Sequence, residues 1–192
     1  AAGLAGDIAG VILRVGQLRA LATAHARNVL RAYLDRCGAP MPEASCLDEM
    51  LRQLCDAGDD AGVRIAFGGW EVRRYRDQVH VMPTLADCEA AFCAQWSGED
   101  RLELPQLGYV MHFDYYPGRG LSLARLRASA TSIRLRNGGE VIQPHALAPR
   151  RKLKNLLQEH GIPPWQRNRF PLLYCGEELV CVPGIAISPH FL

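Results

Sequence analysis

Arg150-Arg151-Lys152-Leu153-Lys154-Asn155-Leu156-Leu157-Gln158-Glu159-His160-Gly161-Ile162-Pro163-Pro164-Trp165-Gln166-Arg167-Asn168-Arg169-Phe170-Pro171 reads as a short helix, a stop, an elbow and a second basic turn. Leu153, Leu156 and Leu157 recur at helical spacing and mark the face that meets a core. Arg151, Lys152, Lys154 and Asn155 then lie on or near the wet side. Gly161 stands where the residue just past a helix end belongs, and Pro163-Pro164 prevent continuation. Four cations occupy the five positions 150–154, the wrong end of a helix for positive charge. The free N–H groups of a first turn favour anions, so the placement destabilises the helix unless solvent screens it or something negative docks.

The chain has 192 residues, 48% of them hydrophobic and 22% charged. That suffices for one medium domain or two small ones with a real core. The net charge of +2 conceals an asymmetry: residues 1–118 carry 11 Arg/Lys against 16 Asp/Glu, and residues 119–192 carry 11 against 4. An acidic first part (−5) beside a basic second part (+7) suggests two modules; the second either meets a polyanion or presents a solvated basic face. The seven cysteines, Cys37, Cys46, Cys55, Cys88, Cys93, Cys175 and Cys181, are odd in number and form no C-x-x-C pair. Buried free thiols in a reducing cytoplasm fit them better than a metal site or a disulfide framework. No apolar run approaches the roughly 20 residues that span a bilayer. Ala1–Val15 is small and apolar without a basic region ahead of it, so it reads as chain entering from an upstream segment rather than as a signal peptide.

Taken in order, Leu18, Leu21, Ala22, Val29, Leu30, Tyr33 and Leu34 predict one amphipathic helix over 17–37, stopped by Gly38. Leu47, Met50, Leu51 and Leu54 predict a second helix to about Cys55, with Ser45 and Asp48 as its capping pair. Val63, Ile65 and Phe67 alternate as a strand, Gly68-Gly69 makes a hairpin turn, and Trp70, Val72 and Val79-His80-Val81 complete a meander. Arg73, Arg74, Arg76 and His80 fall on its solvent face. Thr84–Asp87 has the form of a capping box opening a helix through Leu85, Cys88, Phe92 and Trp96. Strand signals follow at Leu102, Leu104 and 108–113.

Asp114-Tyr115-Tyr116-Pro117-Gly118-Arg119-Gly120 is the candidate linker, which puts a first domain at 1–116 and a basic second domain at 117–192. Residues 121–127 read equally as a strand or one irregular turn. Ile133 and Leu135 alternate with Arg134 and Arg136, which places both arginines on one strand face opposite the core. From Arg119 to Lys154 nine cations face the single acid Glu140, the footprint of a phosphate-backbone binder. The end of the chain reads as strands at 172–175, 179–182 and 185–187. The fold class is therefore α+β: a helical first domain with a small antiparallel sheet, then a basic α/β second domain.

Arg151–Gln158, Gly161-Ile162-Pro163-Pro164-Trp165, Pro171–Tyr174, Gly176–Val180 and Pro183-Gly184 together resemble the C-terminal domain of bacterial tRNA(Ile)-lysidine synthetase. Asn28–Leu34, Leu47–Leu51 and Trp70–Tyr75 are similar to the domain that precedes it. The resemblance covers roughly 15–188. It implies a parent enzyme that uses ATP and magnesium to activate the wobble cytidine of an isoleucine tRNA for attack by free lysine. That chemistry belongs to an N-terminal domain with an S-G-G-x-D-S loop. The nearest string here, Ser97-Gly98-Glu99-Asp100, has one glycine and the wrong spacing, so no catalytic residue and no cofactor site carries over. The resemblance further implies that these domains grip the acceptor-stem side of tRNA(Ile). RNA helices are recognised by shape, phosphate and 2′-hydroxyl, which calls for cations on a rigid surface. The candidates are Arg134, Arg136, Arg150, Arg151, Lys152, Lys154, Arg167 and Arg169. The rival reading is a structural module whose basic surface meets the acidic first half, within the chain or across a homodimer. Trp165 is read as a core plug and His160 with Cys175 as no catalytic pair.

Overall fold

A computed structural model describes residues 12–58, 62–85 and 91–192. The chain forms two compact units that divide between residues 86 and 87. The boundary expected at 116/117 thus falls inside the second unit. The physical reason is strand pairing: Cys93–Trp96 aligns antiparallel with Thr131–Arg134, so the chain before the supposed linker is built into the sheet that follows it.

In the first unit, β1 (Leu13–Arg14) leads into α1 (Val15–Arg19), α2 (Thr23–Arg36) and α3 (Ala44–Asp56). Strands β2 (Arg64–Phe67), β3 (Trp70–Tyr75) and β4 (Gln78–Pro83) complete it, in the antiparallel order β1-β4-β3-β2. The single helix expected over 17–37 is two. A straight helix would set Leu18 about 120° around the axis from Leu30. The break before Thr23 brings Leu18, Ala26, Leu30 and Leu34 into one core with Leu47, Met50, Leu51 and Leu54. Ser45 lies inside α3 rather than capping it, and Asp48 pairs with Arg27 at 2.5 Å instead. Gly68 (φ 51°) and Gly69 (φ 78°) supply the left-handed turn that joins β2 to β3, a conformation matched to the twist of a hairpin.

The arginines of the meander do not all face solvent. Arg74 is buried and donates from Nη1 to the Leu54 (3.1 Å) and Ala57 (2.6 Å) carbonyls and from Nε to Arg76 O (2.9 Å). Arg19 adds bonds to Cys55 O (2.8 Å) and Ala57 O (3.2 Å). The last carbonyls of α3 have no partners within the helix and carry the negative end of its dipole, so two guanidinium groups there supply both donors and charge. Arg73 and Arg64 hold the fully buried Glu71 carboxylate, each at 2.8 Å. His80 alternates as expected and is half-buried opposite Arg73.

The second unit is built on a five-stranded antiparallel sheet, β13-β12-β11-β8-β5. Its strands are β5 (Cys93–Trp96), β8 (Thr131–Arg134), β11 (Leu172–Cys175), β12 (Glu178–Val182) and β13 (Ala186–Ile187). Trp96, expected on a helix, is a strand residue; the part of that helix at 86–90, with Cys88, lies outside the described residues. The hairpin β6 (Arg101–Leu104) with β7 (Tyr109–His112) and the short α4 (Leu123–Leu126) contribute to a core of Trp96, Leu104, Leu126, Ile133, Leu173 and Phe191. Every residue of β11 is buried, as for a strand covered on both faces. Two-residue strands β9 (Val141–Ile142) and β10 (Arg151–Lys152) pair and lead into α5 (Leu153–Glu159), then α6 (Pro164–Arg167). The second domain is thus an antiparallel α+β unit.

Arg74→Met should lower the stability of the first unit by about 2 kcal/mol, because it orphans the carbonyls that end α3. Arg74→Lys should recover only part of this, since an ammonium cannot reproduce the fork. Urea unfolding of the two variants against wild type measures the difference.

Candidate nucleic-acid interface

The cations of 150–154 are not a helix first turn. Helix α5 begins at Leu153, so Arg151 and Lys152 are strand residues paired with Ile142 and Val141. Lys154 alone of the four stands inside the helix. The last residue of α5 is Glu159, an acid at the negative end of the dipole. Both ends of this short helix therefore carry the unfavourable sign. The three buried leucines hold it in place, at about 1.5–3 kcal/mol each.

Arg151 answers part of the problem. It reaches along α5 and grips Glu159 with two N–H donors, at 2.9 and 2.5 Å. The hydrogen bonds from Arg151 hold the Glu159 carboxyl below the ordinary carboxylate range. Arg134 is committed more fully. Nε donates to Ser132 Oγ (3.0 Å), Nη1 to Glu177 (3.0 Å) and Nη2 to Gly176 O (2.9 Å), and the guanidinium lies 5.1 Å from the Tyr174 ring centre. Burial pushes the Tyr174 phenol up to about 12, so this ring stays neutral under its cation. Arg167 donates from Nε to Ile162 O (2.7 Å), closing the turn around Pro163-Pro164, and Arg169 donates to Gln106 O (3.3 Å).

The remaining four candidates are different. The side chains of Arg136, Arg150, Lys152 and Lys154 make no hydrogen bond or ion pair among the described residues, and all but the half-buried Arg136 are exposed. The structure draws their segments together. Glu140 folds its carboxylate onto the backbone N–H groups of Asn137 and Gly138, closing the turn after Arg136. Its carbonyl accepts from the Leu153 N–H at 2.9 Å, at the start of α5. Lys152 stands opposite the exposed Val141 in the β9–β10 pair. Arg150 lines a cavity of about 270 Å³ that also contains Glu140, Glu177 and Glu178, so this face is mixed in sign. Sequence reasoning marked the cations correctly as basic, but not which had spent their donors inside the fold.

Ser97–Asp100 does not fit a nucleotide. The Glu99 carboxylate accepts from the Ser97 N–H at 2.8 Å, occupying with negative charge a donor that a phosphate would need. Backbone N–H groups at Glu99 and Ser97 hold that carboxyl below its usual range. Cys175 donates its thiol to Leu126 O (3.5 Å), and burial pushes the Cys181 thiol up to about 12. The raised value keeps Cys181 a thiol rather than a nucleophilic thiolate. No described helix is long and apolar enough to cross a membrane.

Glu177 and Glu159 sample the same linkage. Their folded-state acidity is strengthened, so each pair contributes stability above the ordinary carboxylate value of 4.5 that is lost as pH falls through the lowered one. Carboxyl NMR titration should find both groups below 4.5, and Arg134→Gln should return Glu177 to it while leaving Glu159 unmoved.

Residues 13–80 match the family model for the TilS substrate binding domain, and residues 131–192 match that for the TilS substrate C-terminal domain. The tRNA(Ile)-lysidine synthase of Nitrosomonas europaea is 38% identical over 174 residues, covering 91% of this chain and 38% of that protein. That of Methylococcus capsulatus is 32% identical over 158 residues, covering 82% and 36%. A crystal structure of a TilS C-terminal domain aligns at TM-score 0.43 and 22% identity, over 53% of this chain and 86% of that one. The chain spans well under half of the length of these relatives. It belongs to the tRNA(Ile)-lysidine synthase family, and its two units carry that family's substrate-binding and substrate C-terminal domains.

Proposed function

We propose that this chain is the tRNA-binding region of a tRNA(Ile)-lysidine synthase, and that it grips the acceptor-stem side of tRNA(Ile). The ligation of lysine to the wobble cytidine, with ATP and magnesium, then belongs to a part of the full-length protein outside these residues, acting in the cytoplasm. The observation that carries the reading is the set Arg136, Arg150, Lys152 and Lys154, whose charged ends are unspent and whose segments meet through the Leu153–Glu140 hydrogen bond. The phosphates of an A-form helix ask for such charges on a rigid support, without a pocket. Arg134, Arg151, Arg167 and Arg169 support that surface, and Arg151 adds charge to it only in competition with Glu159.

Two classes of variant separate contact from support. Lys152→Glu with Lys154→Glu should weaken tRNA binding at least tenfold at low salt and flatten the salt dependence by about one unit of slope per cation removed, with a melting temperature no lower than that of wild type. Arg167→Gln should lower the melting temperature instead. Gel shifts across a salt series, paired with thermal melts, measure both. Unchanged binding by the double lysine variant would sink the assignment. Salt-sensitive self-association without tRNA retention would favour the homodimer reading.

A further inference from the structure

The loop expected to be a domain linker is neither a linker nor slack. Phe113 stacks on Trp96 with ring centres 4.7 Å apart, and its N–H donates to Asp100 O at 2.8 Å. The Tyr115 hydroxyl donates to Gly98 O at 3.0 Å. At the far end, the Ser122 N–H donates to Phe191 O at 2.6 Å. Pro117 restricts the backbone of Tyr116 to extended values, and Gly118 (φ 74°) and Gly120 (φ 89°) turn the chain. The segment is anchored to the second unit before, within and after its turn.

On this anchored support two consecutive aromatic rings face water. Tyr115 is 56% and Tyr116 59% exposed, and among the described residues no other phenylalanine, tryptophan or tyrosine is exposed. The Arg119 guanidinium lies 5.1 Å from the centre of the Tyr116 ring. A guanidinium stacked by its face keeps its edge donors available, and Arg119 makes no hydrogen bond among the described residues. From 114 to 136 the chain holds Arg119, Arg125, Arg127, Arg134 and Arg136 against Asp114 alone. Arg125 is spent on the His190 carbonyl and Arg134 on Glu177, while Arg119, Arg127 and Arg136 keep their donors.

We infer that Tyr115 and Tyr116 form a stacking platform for unpaired RNA bases, with Arg119 serving the adjoining phosphate. The inference rests on the RNA-binding reading above and deepens it by naming a second element of the ligand. A base inside a duplex has both faces covered by its neighbours and offers a tyrosine nothing, whereas an unpaired base presents a bare π-face to any flat ring. A rigid ring loses little entropy on stacking, and a cation beside it draws the strand's backbone to the same place. The platform thus selects single-stranded nucleotides next to a helix, irrespective of their sequence.

The test compares a short RNA duplex, blunt or carrying an unpaired tail with 2-aminopurine, in fluorescence titrations with the whole chain. Wild type should bind the tailed duplex at least about fivefold more tightly than the blunt one and quench the 2-aminopurine. Tyr116→Ala should abolish the preference and the quench while leaving blunt-duplex binding and the melting temperature unchanged, and Tyr116→Trp should restore both. Tyr115→Ala also loses the bond to Gly98, so if it unfolds, the Tyr116 pair decides. Blunt binding that is intact with no tail preference, or a preference that survives Tyr116→Ala, overturns the platform and leaves the RNA-binding reading standing. Wild type that binds neither duplex overturns both.

Discussion

Guanidinium donating to backbone carbonyl is the interaction on which both units depend. Arg19 and Arg74 satisfy the end of α3, and Arg74 also ties β3 to the turn that follows it. Arg125 holds the His190 carbonyl near the chain end, Arg134 the β11–β12 turn at Gly176, Arg167 the elbow at Ile162 and Arg169 the Gln106 loop. Each of these carbonyls sits at a helix end or turn, where regular structure leaves an acceptor without a partner. Arginine suits the task because its planar fork serves two or three acceptors at once and stays charged at any working pH. The chain thus uses much of its positive charge as mortar.

That use decides how far the sequence could be read. Periodicity found the elements whose residues are near neighbours: the stripe Leu47, Met50, Leu51 and Leu54, the β2–β3–β4 meander and the closing strands. It found the triple leucine of α5 for the same reason. It failed where the partner is remote. Nothing in Cys93–Trp96 announces that it will align with Thr131–Arg134, so a helix pattern was assigned to a strand and a boundary was drawn through a domain. The kink before Thr23 is likewise a demand of the core rather than of the local residues. The Ser45–Asp48 capping pair failed because α3 already begins at Ala44, which puts Ser45 inside the helix, and Asp48 pairs with Arg27 from another helix.

The candidate interface was legible as charge and illegible as availability. Counting cations in 119–154 identified a basic region, but the count treats Arg134 and Arg136 alike. Two residues apart, they differ entirely: one has its donors on Ser132, Glu177 and Gly176, and the other has none in use among the described residues. Hydrogen-bond partners are properties of the folded chain. A bound cation is also a weaker counterion donor, since its field is already met by an acid, and contributes less to a salt-dependent association.

The division has a chemical counterpart. Of the 22 basic residues only two are lysines, Lys152 and Lys154, and both are exposed and unspent. A lysine ammonium is a compact, strongly hydrated point charge on a flexible stem; it makes a poor brace for a fixed pair of carbonyls and a good mobile counterion. Recognition of an RNA helix by its outline needs charges that follow a phosphate row without dictating a bidentate angle. Placing the two lysines beside a helix pinned by three buried leucines gives that mobility a fixed base. Lys154 weakens the start of α5 slightly in the free protein, and under the proposed function a docked phosphate would relieve that repulsion.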